Sequence, residues 1–181
     1  MFELRRRGGR SMSLAEGLLD HARFLANLDP YTTTQANLRR AVSAAYCAAF
    51  HLFSAEVAAQ VSPVAPAGLR ERTQRALDHK QMLIVAKSFS QAGMRASNLP
   101  VDILAPDPVS NELSSIAFSF KDLQEARHSA DYDVTKRFDP TEVLALVGKA
   151  ERIFSDWSVE KNSNNPPVFL ASLMFWKLWS K

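Results

Sequence analysis

From about Thr34 to Gln60 the chain carries one continuous helical stripe, and that stripe sets what the rest can fold into. Val42, Tyr46, Ala49, Phe50, Phe53 and Val57 recur at three- and four-residue steps. At about 100° per residue they fall along one side of an α-helix. An apolar stripe of this length has to be covered by other elements. The small side chains at Ala44, Ala45, Ala48 and Ala49 let a covering helix approach closely. No segment shows a run of alternating β-branched residues, and no internal repeat is present. The expected fold is therefore all-α, with helices and no sheet.

The remaining helices follow from their start and stop signals. Ser13 followed by Glu16 has the spacing of a capping box. It opens a helix from 14 to about 27, which Asp29-Pro30 ends. Residues 61–68 read as a connector, and a third helix is expected from Leu69 to Phe89. Residues 91–109 hold Gly93, Pro100, Pro106 and Pro108 and read as a long loop. Ser110 is a suitable N-cap for a fourth helix reaching about Ala130, with Leu113, Ile116, Ala117, Phe120 and Leu123 as its stripe. Asp139-Pro140-Thr141-Glu142 places Asp at the N-cap, Pro at the first helical position and Glu in the first turn. A fifth helix therefore starts there and carries Val143, Leu144, Leu146, Val147, Ala150 and Ile153.

Length and charge narrow the class. The chain has 181 residues, enough for one domain with its own core. The main helical domain is expected over 13–158. A single cysteine excludes an intramolecular disulfide and fits a reducing compartment. Arg5, Arg6, Arg7 and Arg10 against Glu3 account for the whole formal charge of +3, leaving 18 basic and 18 acidic residues elsewhere. The basic pI thus belongs to residues 1–12, read as a basic flexible arm or an upstream extension, and gives no case for a broad nucleic-acid-binding face. The arm lacks the apolar stretch of a signal peptide, so a cytoplasmic location is expected. Residues 159–181 read as a polar linker followed by an apolar aromatic helix, with Phe169, Phe175, Trp176 and Trp179. Twelve helical residues, 168–179, span roughly 18 Å against about 30 Å of hydrocarbon. That is too short to cross a bilayer. Docking on the bundle or on a second subunit is expected, with interfacial membrane contact as the alternative.

Charged residues that fall on apolar helix faces are the candidates for chemistry. Arg72 and His79 are seven apart and share a face of the expected third helix. Arg127 and Asp131 are four apart and continue the stripe of the fourth. A charge pointing into a helix seam needs a partner, so Arg127, Asp131 and Tyr132 are read as a structural polar anchor. An arginine beside a histidine also suits metal-independent RNA cleavage, because arginine neutralises phosphate oxygens and histidine moves protons. Arg72, His79, Arg127 and His128 are thus the candidate catalytic residues, although His128 points about 100° away from Arg127. Arg39, Arg40 and Arg75 are the candidate RNA contacts. His21 and His51 carry no signal. No metal-ligand spacing, glycine-rich phosphate loop or paired-cysteine motif is present, so neither metal nor cofactor is expected.

Three segments resemble the HEPN superfamily, helical domains found in prokaryotic toxin–antitoxin and defence systems. They are Leu38-Arg-Arg-Ala-Val-Ser-Ala-Ala-Tyr-Cys-Ala-Ala-Phe-His51, Arg75-Ala-Leu-Asp-His79 and Glu125-Ala-Arg-His-Ser-Ala-Asp-Tyr-Asp133. The last is similar to the Arg-x-x-Ala-Asp-Tyr signature of one small bacterial branch. The resemblance spans roughly residues 13–155. It implies an up-and-down bundle of four main helices with additional C-terminal helices, a homodimer, a nucleotidyltransferase-like antitoxin as partner, and, in catalytic relatives, RNA cleavage by an Arg and a His separated by four to six residues. Arg72 and His79 have that spacing, but earlier in the chain than the family places it. The late segment has only the adjacent His128. The expected function is a dimeric RNA- or nucleotide-related helical protein, with a metal-independent endoribonuclease toxin as the alternative.

Overall fold

The computed structural model describes residues 12–29, 31, 33–61, 63–64, 66–90 and 109–179. Among them are seven helices and no strand. They are α1 (Leu14–Ala26), α2 (Gln35–Val61), α3 (Ala67–Arg75), α4 (His79–Phe89), α5 (Asn111–Tyr132), α6 (Pro140–Glu160) and α7 (Pro166–Trp179). The chain is an all-α bundle with added C-terminal helices.

The caps act as the sequence indicates. The Ser13 backbone N–H donates to Glu16 Oε2 at 2.7 Å, and the Glu16 N–H returns a bond to Ser13 Oγ at 3.2 Å. Ser110 Oγ accepts from the Leu113 N–H at 3.0 Å and opens α5. Asp139 Oδ1 accepts from the Thr141 N–H at 2.8 Å and opens α6, with Pro140 as its first residue. Each satisfies a donor that the helix geometry leaves free.

One expected helix is two. The continuous segment predicted over 69–89 breaks at Ala76, Leu77 and Asp78. Asp78 adopts an extended backbone and its side chain accepts from the Gln81 N–H at 2.8 Å, so it caps a new helix instead of continuing the old one. Arg72 and His79 therefore do not share a helix face. The long loop expected at 91–109 lies outside the described residues except for Val109.

α2 is the axis of the bundle, packing against α1, α3, α5, α6 and α7. It is long and apolar enough to cross a membrane by length and composition, yet its apolar side chains are the core itself. Phe53 has no exposed surface and meets Trp157 at 5.2 Å, Phe120 at 5.3 Å and Phe169 at 5.5 Å between ring centres, each edge to face. Those rings come from α6, α5 and α7, and edge-to-face pairs add to the burial itself. The aromatic C-terminal helix is thus docked on the bundle, against α4 and α2. Phe169, Leu170, Leu173 and Trp176 face inward.

The first turns of α2 hold the link between α5 and α6. The Gln35 side-chain amide makes two bonds to the Phe138 backbone, at 2.8 and 2.9 Å. Arg39 Nη1 donates to the Ala130 carbonyl at 2.7 Å, and Nη2 donates to those of Asp133 at 2.8 Å and Lys136 at 2.5 Å. The guanidinium closes the C-terminal end of α5, where carbonyls lack helical partners and the helix dipole favours a cation. Phe53→Ala should cost about 3–5 kcal/mol, because four helices lose one shared ring. Urea unfolding of the purified protein checks this.

Candidate functional site

Tyr46 is fully buried on α2, and its hydroxyl needs a partner inside the bundle. It finds His79 Nδ1 at 2.6 Å. His79 opens α4, so the cap at Asp78 is what delivers this ring to Tyr46. Phe50 packs against the imidazole at 4.3 Å between ring centres. Gln124 on α5 donates from Nε2 to the His79 carbonyl at 2.6 Å. Three helices thereby position one histidine at the surface.

Arg127 stands beside this group. Its guanidinium carbon lies 5.9 Å from the Tyr46 ring centre and 5.7 Å from that of Tyr132. Arg127 Nε bonds Asp131 Oδ2 at 2.6 Å, and Asp131 Oδ1 accepts from Ser43 Oγ of α2 at 2.5 Å. The two charged side chains are 27% and 24% exposed, so the pair is only partly screened by water. It ties the end of α5 to α2, while Tyr132 itself is mostly exposed.

Of these residues, His79, Gln124, Arg127 and Tyr132 line a groove of about 820 Å³ between α4 and α5. His79, Lys80 and Lys87 come from α4, and Gln124, Arg127, His128 and Tyr132 from α5. Lys87 pairs with Glu125 at 3.0 Å. Lys80 has no carboxylate partner among the described residues. The arrangement offers several cationic donors to an anion.

The titration of the site has physical causes. Burial drives the Tyr46 hydroxyl well above the ordinary phenol range, with Cys47 adding to the rise and Arg127 opposing it. Tyr46 therefore keeps its proton, and its hydroxyl shares with His79 Nδ1 a hydrogen bond whose direction follows the imidazole tautomer. Burial first, and then the Arg127 charge and His51, lower the His79 pKa from 6.5, against the raising effect of Asp78. Burial and the Arg127 charge thus both favour the neutral imidazole.

The other sequence candidates lie elsewhere. Arg72 is exposed on α3 and does not line the groove. Arg75 is exposed, sits 3.7 Å from Glu71, and borders a second cavity of about 430 Å³ with His51, Phe50 and Leu14. Arg40 is exposed on α2, and Arg39 is committed to the carbonyls at the end of α5. His128 does face the groove, where its ring meets Tyr132 at 5.1 Å. The structure thus joins His79 with Arg127, two residues that the sequence placed in separate pairs. Tyr46, Gln124, Lys80 and Lys87 carried no site reading in the sequence. Tyr46 had one available signal, a hydroxyl within an otherwise apolar stripe. No group of three or more His, Cys, Asp or Glu residues that could hold a metal occurs among the described residues.

Comparison with protein-family models, with curated proteins and with solved structures finds no match to this chain.

Asp131→Ala should destabilise the protein by about 1–3 kcal/mol, because it strips Arg127 and Ser43 of a shared partner at a partly buried position. Urea midpoints check it. The pH dependence has a definite sign. His79 and His51 both have folded-state pKa values below 6.5, so the unfolded chain binds more protons at mildly acidic pH. Their contribution is complete above 6.5 and is lost as pH falls through the folded-state values. The urea midpoint should therefore drop between about pH 7.5 and pH 5. The drop should be smaller in His79→Gln.

Proposed function

We propose that this chain is a HEPN-like, dimeric helical protein of a toxin–antitoxin or defence system, which binds phosphate groups of RNA or a nucleotide in the groove between α4 and α5. The observation that carries the binding reading is the placement of Arg127, Lys80 and His79 around that one groove. Arginine and lysine bind phosphate by charge-assisted hydrogen bonds, and the histidine ring adds a third polar group. The sequence segments that resemble HEPN domains supply the cellular role, with a nucleotidyltransferase-like antitoxin as partner.

A second reading, a metal-independent endoribonuclease, is favoured by the meeting of His79 with Arg127. Attack by a ribose hydroxyl needs a base, and leaving-group departure needs an acid. His79 Nδ1 is engaged by the Tyr46 hydroxyl, and the lowered pKa disfavours the imidazolium that an acid would need. Binding is accordingly the reading that the geometry supports best.

Purified protein should bind labelled RNA with an affinity that falls as salt rises, and Lys80→Ala and Arg127→Ala should each weaken it. Incubation with mixed RNA in EDTA should yield no cleavage above that of His79→Ala. Absence of RNA and nucleotide binding would overturn the proposal, and cleavage lost in His79→Ala and Arg127→Ala would install the nuclease reading. Light scattering should give about twice the 20.2 kDa chain mass, and a mass equal to it would contradict the dimer.

A further inference from the structure

A bare phosphate would leave most of a groove of about 820 Å³ empty. Sites for small organic ligands occupy about 300–1,000 Å³, so the volume fits a phosphate together with the group attached to it. The two parts of the groove differ in chemistry. His79, Lys80 and Arg127 offer polar and cationic groups, whereas His128 and Tyr132 offer ring faces.

The rings of Tyr132 and His128 lie at the exposed side of the groove. Tyr132 is 64% exposed although it is aromatic, and it sits on the last residue of α5. Its ring packs only partly, against His128 at 5.1 Å with a 48° tilt. Arg127 lies between this ring and Tyr46, at 5.7 and 5.9 Å from the two centres. Its Nε lies 2.6 Å from Asp131 Oδ2. The ion pair with Asp131 holds the guanidinium at the wall of the groove, where it can meet an anion. A phosphate held there lies within one nucleotide of the Tyr132 ring.

We infer that the groove takes one unpaired nucleotide, its phosphate among Arg127, Lys80 and His79 and its base stacked on Tyr132 beside His128. The inference rests on the phosphate-binding reading above and adds the base. Stacking tolerates any base but requires that the base be free of a duplex, since a paired base keeps both faces within its own stack. The shared chemistry, a nucleoside phosphate, is available from a free mononucleotide or from a single strand of RNA.

Fluorescence anisotropy with a labelled single-stranded oligoadenylate RNA, the same strand annealed to its complement, and AMP as competitor tests this. Tyr132→Leu removes the ring at an exposed helix end, Tyr132→Phe retains it, Lys80→Ala removes a phosphate contact, and Arg152→Ala on α6 is the control. Circular dichroism verifies that each variant is folded. The single strand should bind more tightly than the duplex. Tyr132→Leu should weaken single-strand binding roughly ten- to a hundredfold, while Tyr132→Phe and Arg152→Ala stay close to wild type. Competition by AMP identifies the free nucleotide as sufficient; its failure, with Tyr132→Leu still weakened, identifies the strand as the source. Equal binding of single strand and duplex, unchanged in Tyr132→Leu yet weakened in Lys80→Ala, would overturn the stacking and leave the phosphate groove standing. No binding of RNA or AMP by wild type would remove both.

Discussion

Everything in this bundle depends on α2 being covered on nearly every side. Five helices pack on it, and a helix so enclosed cannot carry large side chains all round. Its alanines at 41, 44, 45, 48, 49 and 58 are buried and admit close neighbours. Phe53 and Tyr46 then fill the spaces that the alanines leave. Phe53 joins α5, α6 and α7 through ring edges, and Tyr46 reaches toward α4. The two aromatic residues divide the labour, one holding the core and the other connecting it to the surface.

Several polar groups at the edge of that core are satisfied in pairs across helices. Arg39 and Gln35 secure the turn between α5 and α6, and Ser43 with Asp131 secures the last turns of α5. These contacts fix where Arg127 stands. The Asp78 cap and the Gln124 bond fix where His79 stands. Each of these groove side chains is thus held by a residue whose own role is structural, so little conformational freedom remains to it. The Tyr46–His79 bond also sets the character of the groove. A buried phenol that retains its proton occupies one ring nitrogen of the imidazole, and Arg127 nearby opposes a second positive charge there.

Much of the framework was legible in the chain because it follows from local rules. The stripes on α2 and α5, the capping box at Ser13, and the caps at Ser110 and Asp139 each concern residues within a few positions of one another. The break at Asp78 was local too, but apolar periodicity across 69–89 concealed it. Periodicity records which side faces inward and is blind to a change of helix when the register is kept. The Arg127–Asp131 pair was legible from its four-residue spacing. The Arg72–His79 pair failed because it assumed one straight helix where there are two.

The sequence by itself determined the helical class, most helix ends, the burial of Phe53, Phe120 and Leu123, and the pairing of Arg127 with Asp131. Periods of 3.6 residues and capping chemistry act within single segments, so no knowledge of neighbours is needed to read them. Only the tertiary structure decided that Arg39 would spend its guanidinium on carbonyls some ninety residues away, or that Tyr46 would meet His79 across thirty-three. It also decided that His79, Lys80, Arg127 and Tyr132 would line one groove. Such contacts depend on the order and angle in which helices pack around α2, and that is a property of the assembled bundle, not of any one stretch of residues.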